Sequence, residues 1–398
     1  MHRQTIDPIA NPYTPNAGSR PPELAGRDAE LRQFEILVGR LKRGASDQSM
    51  VVKGLRGVGK TVLLNAFEDQ AESEDFLAYY HELTPESVLA RELARDSEKA
   101  LVRLSLSERV GSGIRDALGH MRTIRLTGPQ GFGLEVDLKG ADEGAVTSDL
   151  TDLFLQLGKA ARSKERGVVF LLDEVQFAEE IQFRAMISAL HRATQRSLPI
   201  TVAAAGLPQI PRLTGEARSY AERLFRFPTI GNLGDEAATA ALTEPARQQA
   251  VEFTSGAVAR VLQWTAGYPF FIQQLGKHAW NAADKSPITL EDIEAAIPTA
   301  QEALDSSLYE VRVQRATPAE RRYMRAMAEL GGGPYRSGAV AAKLAKSSAA
   351  LSQLRDRLIG KGLIYATEDY GYIEFSVPRF DEFMRRYMTY RAPPKAKK

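Results

Sequence analysis

The feature that most constrains the fold is residues 54–61, which read Gly-Leu-Arg-Gly-Val-Gly-Lys-Thr. This is the G-x-x-x-x-G-K-T pattern of a phosphate-binding loop. The apolar run Ser49–Lys53 precedes it and predicts a buried strand, and residues 62–67 carry apolar side chains at helical spacing. The alternative is a glycine-rich turn that contains a lysine by chance, but such a turn would not need a strand before it and a helix after it. The order strand, loop, helix therefore predicts an α/β fold that binds a nucleoside triphosphate.

Each residue type in this loop has a physical reason to be there. The glycines allow successive backbone N–H groups to turn toward the α- and β-phosphates, and the helix N-terminus adds partial positive charge. Lys60 is expected to reach the β- and γ-phosphates, which also makes it a candidate catalytic residue, and Thr61 is expected to offer its hydroxyl to Mg²⁺. The candidate nucleotide-binding residues of the loop are Gly54, Gly57, Val58, Gly59, Lys60, Thr61 and Val62.

A second pattern lies more than a hundred residues further on, where five apolar residues, 168–172, end in Asp173 and Glu174. Such a run predicts a strand buried on both faces of a parallel sheet, with the acids at its C-terminal edge. Asp173 is expected to hold Mg²⁺ directly or through water, and Glu174 to polarise the attacking water as general base. Alone, the pattern also fits two ordinary acids at a helix N-terminus. Together with the phosphate loop, it predicts Mg²⁺-dependent ATP hydrolysis.

Composition restricts the chemistry that is available. The 398-residue chain has no cysteine, which excludes disulfides, thiolate catalysis and cysteine-ligated zinc. Its hydrophobic fraction of 43% and charged fraction of 26% are typical of a soluble globular protein. No apolar stretch approaches the roughly 18 residues that span a bilayer, and the N-terminus lacks a signal-peptide pattern. We therefore expect a cytoplasmic protein with no membrane partner.

The charge is unevenly distributed, although the net charge is only +2. Residues 311–398 contain 18 Lys and Arg against 8 Asp and Glu, a net charge of +10, so the preceding 310 residues carry −8. An acidic body with a basic C-terminal module suggests a polyanionic partner for that module.

The chain divides into five predicted segments. Residues 1–22 contain five prolines and are expected to be extended along the first domain. In residues 23–234 strands alternate with helices, which predicts a three-layer parallel-sheet P-loop ATPase core. Residues 235–310 are expected to form an all-helical lid, and residues 311–390 a winged helix-turn-helix. Residues 391–398 form a basic tail.

Two stretches, residues 85–138 and 317–390, contain further predicted elements. Between the second strand and the acid-tipped strand, residues 85–120 read as helical, and residues 123–127 and 132–138 as a hairpin. In the C-terminal module, Thr317-Pro318-Ala319-Glu320 is a capping box with proline at the first helical position. The predicted elements that follow are helices at 318–330, 338–345 and 348–359, ribbon strands at 363–367 and 372–377, and a last helix at 380–390.

With these motifs the chain resembles the AAA+ ATPases, in the branch of origin-recognition/Cdc6-like proteins and archaeal-type or STAND ATPases. The resemblance extends over nearly the whole chain. Residues 22–30 look like the family segment that passes the adenine, which implies nucleotide contacts for Gly26 and Arg27. Gly267-Tyr268-Pro269 resembles the G-x-P of the helical lid, which implies that Pro269 abuts the base.

The chain departs from the family pattern at two sensor positions. Residues 200–205 end in Ala203-Ala204-Ala205, where the family usually carries a polar residue that orients the water, and Thr201 comes too early in the strand. Phe270 and Phe271 follow Pro269, so the usual lid arginine is missing there. Both absences imply slow hydrolysis, as in a switch that dwells in its ATP state.

Three arginines follow the fourth core strand, where the family's arginine finger originates. Arg218 or Arg223 could reach the γ-phosphate of a neighbouring subunit in a homo-oligomer and neutralise charge there. Arg226 lies between two phenylalanines on a possible strand. The alternative is that these are surface arginines paired with Glu216 or Glu222.

The expected recognition helix is residues 347–359, with its leucines on the core face. Polar side chains on such a helix can contact base edges or phosphates in a major groove. The acidic residues Asp356, Glu368 and Asp369 oppose this, and winged helices also dock proteins. The candidate DNA-binding residues are Ser348, Ser352, Gln353, Arg355 and Lys361.

The sequence as a whole predicts a slow ATPase whose nucleotide state positions a winged helix on double-stranded DNA. Its expected cofactors are ATP and Mg²⁺. The main alternative is a STAND-like signalling ATPase whose winged helix docks a protein effector. A third interpretation is a nucleotide-locked scaffold without turnover.

Overall fold

A computed structural model describes residues 5–16, 23–105, 124–127, 133–136, 143–208, 218–367 and 369–390. The chain forms two compact units. The sheet unit comprises Arg27–Gly54 and Lys60–Ile230. The C-terminal unit comprises Met1–Gly26, Leu55–Gly59 and Gly231–Lys398. The phosphate loop is therefore divided between the two units along the chain.

Strands and helices alternate in the sheet unit. Its strands are β1 (Ser49–Lys53), β2 (Phe76–Glu82), β3 (Ile124–Thr127), β4 (Gly133–Val136), β5 (Gly167–Asp173), β6 (Ile200–Gly206) and β7 (Phe225–Arg226). Its helices are α1 (Asp28–Lys42), α2 (Lys60–Ser73), α3 (Leu89–Ser105), α4 (Glu143–Ser163), α5 (Glu180–Gln195) and α6 (Arg218–Leu224). Within the described ranges, five strands form one parallel sheet in the order β2-β5-β6-β1-β7. The predicted parallel α/β P-loop core is confirmed.

The apolar strands are buried because helices cover both faces of the sheet. Every residue of β5 and β6 is buried. Val168, Phe170 and Leu172 of β5 share one apolar cluster with α3, α4 and α5. The intervening residues point to the opposite face, where α2 contacts the sheet and Phe34 of α1 stacks on Phe67 at a centroid distance of 4.2 Å. This arrangement places the end of β5, with its two acids, beside the ends of β2 and β6.

The insertion between β2 and β5 follows the prediction in part. α3 begins at Leu89 rather than at residue 85, and residues 106–120 of the predicted helix lie outside the described residues. β3 and β4 pair antiparallel, as the hairpin prediction required.

The C-terminal unit begins with four helices. These are α7 (Asp235–Arg247), α8 (Ser255–Thr265), α9 (Pro269–Ala282) and α10 (Leu290–Leu304). α10 continues through the π-helical turn Asp305–Glu310 into α11 (Val311–Gln314). The predicted boundary at residue 310 thus falls inside a continuous helical run, because residues 299–316 contain no glycine or proline.

A second set of elements completes the C-terminal unit. In chain order they are α12 (Pro318–Ala328), β8 (Tyr335–Arg336), α13 (Ser337–Lys343), α14 (Ser352–Gly360), β9 (Ile364–Ala366), β10 (Tyr372–Phe375) and α15 (Phe380–Tyr387). The three strands form an antiparallel sheet in the order β8-β10-β9. The predicted ribbon is present as β9 and β10, and the sequence interpretation missed β8, which is only two residues long. The predicted tail, 391–398, lies outside the described residues.

The prediction that the N-terminal segment lies along the first domain is wrong, since residues 5–16 pack within the C-terminal unit. Ile6 and Tyr13 are buried in the apolar cluster of α7 to α10. The Tyr13 hydroxyl donates to the carbonyl of Leu242, and Trp280 Nε1 donates to the carbonyl of Asp7 at 2.8 Å. A proline-rich segment can still bury its few apolar side chains, and these decide where it packs.

The capping box at the start of α12 predicts a pH-dependent stability. The Glu320 side chain is fully buried, and Lys361 Nζ donates to its Oε2 at 2.6 Å. Burial alone would raise the pKa of Glu320, but the hydrogen bonds from Lys361 and from the Thr317 backbone outweigh it and lower the pKa. A lowered pKa stabilises the fold above the usual carboxyl range, and this stabilisation is lost as the pH falls toward 4 and below.

We therefore expect Glu320→Gln to lower the free energy of unfolding at pH 7 by about 1–3 kcal/mol. The difference between the variant and the wild type should shrink as the pH falls below about 4.5, which denaturant titrations at several pH values would measure. Glu382→Gln removes a carboxylate that pairs with Arg379 at 3.1 Å on the surface, and it should change stability by less than about 1 kcal/mol. A constant difference at all pH values would contradict this account.

Candidate nucleotide site

The phosphate loop leaves β1 and opens α2, as its sequence predicts. Gly57 and Gly59 have φ values of +83° and +94°, a region that favours glycine. The Gly54 N–H donates to the carbonyl of Gly206, at the end of β6, at 3.1 Å. A Cβ atom at Gly57 would lie 3.1 Å from the Tyr268 hydroxyl, so glycine is needed for this close approach within the C-terminal unit. The loop backbone is thus shaped by contacts on both sides of it.

Lys60 and Thr61 lie in the first turn of α2. Lys60 is 6% exposed, and its Nζ donates to the carbonyl of Gly54 at 3.0 Å. The Thr61 hydroxyl donates to Asp173 Oδ2 at 2.5 Å, and Asp173 is 2% exposed at the end of β5. The structure therefore brings together the three side chains that the two sequence patterns assigned to phosphate and metal. A hydroxyl and a carboxylate are the hard oxygen ligands that suit Mg²⁺. Of the other loop residues, Val58 is buried and Val62 is half-buried.

Tyr80 is a member of this site that the sequence interpretation missed. Its hydroxyl donates to Asp173 Oδ2 at 3.1 Å, and the Glu174 N–H donates to Asp173 Oδ1 at 2.8 Å. Burial, followed by the nearby charge of Asp173, raises the pKa of Tyr80, so the hydroxyl keeps its proton. β2 pairs with β5 in parallel register, Glu82 opposite Asp173. That strand order, which the sequence does not state, brings Tyr80 to the acids.

Glu174 follows β5 in a left-handed conformation, with φ 50° and ψ 39°, and begins the short 3₁₀ turn Val175–Phe177. Its carboxylate accepts a hydrogen bond from Gln176 Nε2. Gln176 Oε1 in turn accepts from the Leu207 N–H, just past the end of β6, at 3.0 Å. Gln176 is a second residue that the sequence interpretation missed.

The sensor prediction concerns β6. The Thr201 hydroxyl is buried and lies 2.8 Å from the Ser49 hydroxyl of β1, so it is engaged between the strands and away from the strand end. Ala203, Ala204 and Ala205 follow it. The structure thus agrees with the expectation that Thr201 comes too early to orient a water at the acids.

Gly26, assigned to the adenine segment, and Gly267, assigned to the lid, both lie near Leu233 in the C-terminal unit. Gly26 and Gly267 have φ values of +66° and +73°, and a Cβ at either would come within 3.3 Å of an atom of Leu233. Pro269 is the first residue of α9. Arg27, at the other side of the unit boundary, is the buried N-cap residue of α1. Gly26 and Gly267 thus have left-handed backbone geometry, and the base contacts stay predictions.

The arginine-finger candidates lie on α6. Arg218 begins this helix, and its side chain lies outside the described part of the chain, as does Glu216. Arg223 is exposed and has no ion pair with a described residue. Arg226 lies on β7, as the sequence suggested, and pairs with Asp47 at 3.3 Å. Arg218 and Arg223 therefore stay candidates for a contact in trans.

The predicted recognition helix is shorter than expected. The 3₁₀ turn Ala349–Leu351 comes first, and the α-helix α14 begins only at Ser352. Ser348 and Gln353 are exposed, whereas Ser352 and Arg355 are half-buried, with Arg355 3.3 Å from Asp356.

Lys361 lies just after α14, is half-buried and is engaged by other residues of the protein. It donates to the buried Glu320 and, at 3.0 Å, to the carbonyl of Arg315. Its ammonium group is therefore already neutralised, which argues against the predicted phosphate contact.

In the part of the chain that the structure describes, no helix is both long enough and apolar enough to cross a bilayer.

Comparison with known proteins agrees with this geometry. Residues 23–203 match the AAA ATPase domain family, and residues 306–384 match a Domain of unknown function (DUF8462). No similar sequence was found among curated proteins.

Two solved structures share the fold over most of the chain. The Walker-type ATPase PABY2304 of Pyrococcus abyssi has 14% identity and a TM-score of 0.53, covering 92% of this chain and 97% of that protein. The ORC2 protein of Aeropyrum pernix, solved as ADPNP–ADP complexes, has 15% identity and a TM-score of 0.54, covering 94% and 96%. At these identities the likeness concerns the fold alone. Residues 23–203 thus carry both the sequence match and the parallel-sheet P-loop fold of an AAA ATPase domain.

Proposed function

We propose that this protein is a Mg²⁺-dependent AAA+ ATPase that acts as a slow, nucleotide-dependent switch and positions a C-terminal winged helix on double-stranded DNA. The observation that carries the proposal is the convergence of Lys60, Thr61 and Asp173. Two of these residues open α2 and the third ends β5, and the Thr61 hydroxyl lies 2.5 Å from the Asp173 carboxylate. A buried lysine and a hydroxyl–carboxylate pair at a helix N-terminus suit a phosphate–metal complex.

A phosphate oxygen of ATP would be a stronger acceptor for Lys60 than the carbonyl of Gly54. Lys60 Nζ bonds to the neutral carbonyl of Gly54, and a phosphate oxygen would replace it with a charge-assisted hydrogen bond. The loop N–H groups and the N-terminus of α2 add to the positive potential. The nucleotide complexes of the ORC2 protein support the same use of this fold.

Mg²⁺ would be held by Thr61 and Asp173, with Tyr80 orienting the carboxylate. When bound, it would supply positive charge to the phosphate oxygens. Glu174 lies next to Asp173 along the chain and would accept a proton from the attacking water. Because the described end of β6 presents only alanine and glycine side chains, we propose a slow rate. Arg218 or Arg223 could accelerate it from a neighbouring copy in a homo-oligomer.

The C-terminal unit contains a direct connection between the phosphate loop and the DUF8462 region. The Arg56 N–H donates to the carbonyl of Ser376 at 3.2 Å. The Ser376 hydroxyl is buried and donates to the carbonyl of Gly362 at 2.6 Å, and a Cβ at Gly362 would lie 2.8 Å from Arg56 Nη2. Any change in loop shape on ATP binding would disturb this contact, which couples nucleotide state to the position of the module.

The DNA assignment rests on charge and on α14. Residues 311–398 carry a net charge of +10, which provides sequence-independent attraction to phosphates. We interpret α12, α13 and α14 with the β9–β10 ribbon as a winged helix. The proposed DNA contacts are Ser348, Ser352, Gln353 and Arg355. Lys361 is not proposed as a contact, because Glu320 engages its ammonium group.

A salt titration tests the DNA assignment. With ATP and Mg²⁺ present, duplex DNA affinity should fall roughly 50-fold between 50 and 200 mM salt, as expected for about three phosphate contacts. Arg355→Ala should make the slope of log K against log salt shallower by about one. Arg386→Ala is the matched control, because its guanidinium pairs with Asp305 on the surface at 2.8 Å, and it should leave the slope unchanged. Fluorescence anisotropy measures both.

The alternative is a signalling ATPase whose C-terminal module docks a protein effector. Three described residues favour it, since Asp356 and Asp369 are exposed acids and Tyr370 is 99% exposed. An absence of DNA binding at low salt, with ATP hydrolysis intact, would select this function.

A further inference from the structure

Gln176 is the residue that connects the candidate general base to the rest of the sheet unit. The chain turns sharply after β5, since Glu174 is left-handed and Val175–Phe177 form a 3₁₀ turn. This turn brings the Gln176 side chain back to Glu174, where Nε2 donates to Oε2 of the carboxylate. The other end of the amide accepts the Leu207 N–H at 3.0 Å. Gln176 thus joins two strand ends through one side chain.

The second strand end is itself tied to the phosphate loop. The carbonyl of Gly206, the residue before Leu207, accepts the Gly54 N–H at 3.1 Å. The carbonyl of Gly54 accepts Lys60 Nζ at 3.0 Å. A continuous series of hydrogen bonds therefore runs from Glu174 through Gln176 and the end of β6 to the lysine of the loop. The alanines at the end of β6 offer no side-chain donor for this purpose.

We propose that Gln176 is a positioning residue for ATP hydrolysis, because its amide fixes the Glu174 carboxylate at the end of β6. The inference rests on the proposed ATPase function and deepens it. Proton transfer from water to a base requires one geometry, so its rate falls steeply when the base is free to rotate.

The chain offers a matched control in Gln182 of α5. Its Nε2 donates to Glu179 Oε2 at 2.5 Å, and its Oε1 accepts the Ala90 N–H at 3.0 Å. Gln182 therefore bridges a glutamate and a backbone N–H as Gln176 does, and it is more deeply buried, at 4% exposure. The two glutamines therefore share their bonding pattern. They differ in that Glu174 is the proposed base, whereas Glu179 has no proposed part in the chemistry.

The test measures kcat and KM of phosphate release for Gln176→Leu, Gln176→Glu and Gln182→Leu. For Gln176→Leu we expect kcat to fall about 10–100-fold, with KM within about twofold because the phosphate contacts are untouched. Gln176→Glu keeps an acceptor for the Leu207 N–H and removes the donor to Glu174, so its kcat should fall at least as far. Gln182→Leu should lower the melting temperature and leave kcat unchanged.

Three outcomes overturn the inference, and all differ from failure of the proposed function. A wild-type kcat in Gln176→Leu, with wild-type hydrolysis established, would contradict positioning. An equal loss of kcat in Gln182→Leu, or a wild-type kcat in Gln176→Glu, would show a general structural effect. An absence of hydrolysis in the wild-type protein, with or without DNA, would instead contradict the ATPase function and the inference together.

Discussion

Replacing Lys60 with alanine should abolish measurable ATP binding. The ammonium group is buried at the start of α2, so phosphates that enter the loop meet a charge with little solvent screening. We expect affinity for Mg·ATP to fall at least about 100-fold, since a charge-assisted contact of this kind contributes about 3 kcal/mol. Isothermal titration of the purified full-length protein with ATP and Mg²⁺ measures this change directly.

Thermal melting provides a second readout for the same substitution. A ligand at 100 times its Kd stabilises the folded state by about 2.7 kcal/mol, so saturating ATP should raise the melting temperature of the wild-type protein by several degrees. The Lys60→Ala protein should melt at the same temperature with and without ATP. Without nucleotide it should fold normally, because the apolar side chains of the sheet unit are unchanged and Lys60 donates to the neutral carbonyl of Gly54 in a loop.

Lys42→Ala is the control for charge alone. Lys42 lies in the same unit, and its ammonium pairs with Glu74 and Asp75 on the surface, each at 3.2 Å. Its removal changes the net charge by the same amount and should leave ATP affinity within twofold. Wild-type affinity in Lys60→Ala would show that the nucleotide binds elsewhere, and the site described above would have to be abandoned.

The parts of the fold that follow from short-range pattern could be predicted from the sequence. The limits of β1 agree with the prediction, β6 extends one residue further at its C-terminal end, and β5 extends one residue further at each end. Their runs of apolar residues are shielded from water only as buried strands of the sheet. The glycines and acids at the strand ends show where burial stops. The loop and the Asp173–Glu174 pair could be recognised because each depends on a local sequence.

The parts of the site that depend on strand order could not be predicted in this way. Tyr80 reaches Asp173 because β2 lies next to β5, although 93 residues separate the two side chains along the chain. Gln176 looked like the start of an ordinary helix, and its role depends on where β6 ends. A sequence pattern contains no information about which strand ends meet, so both residues appeared only in the folded chain.

Burial also decided two cases against the sequence interpretation. Lys361 belongs to a basic region and was assigned to DNA, but Glu320 is completely buried beneath it and needs a counter-charge. Tyr13 and Ile6 lie in a proline-rich segment without a core of its own, yet they complete the core of the four-helix region. In both cases long-range contacts outweighed the composition of the surrounding segment.

Glu174→Gln should separate ATP binding from hydrolysis. The introduced amide has the size of the carboxylate and can still accept the hydrogen bond from Gln176 Nε2, but it cannot take a proton from water. We expect single-turnover phosphate release to slow by about 10²–10⁴-fold, while ATP affinity stays within a fewfold of wild type because Lys60, Thr61 and Asp173 are unchanged. Rapid quench with radiolabelled ATP measures the rate, and the titration used for Lys60→Ala measures the affinity.

Glu179→Gln is the matched control for this substitution. Glu179 lies five residues further along the chain, and its carboxylate also accepts from a glutamine, Gln182. Its amidation should leave phosphate release unchanged, because it lies beside α5 and away from the end of β5. Wild-type release in Glu174→Gln would show that another group activates the water.

The same variant also tests the switch. Because Glu174→Gln binds ATP and does not hydrolyse it, the phosphate loop stays in its ATP-bound shape. Arg56 connects this loop to Ser376 within the C-terminal unit, so the module should stay in the position that belongs to ATP. DNA affinity of the variant with ATP should therefore remain constant over hours, whereas that of the wild-type protein should drift toward its ADP value as hydrolysis proceeds. Identical DNA affinities with ATP, ADP and no nucleotide would show that the loop and the module are not coupled.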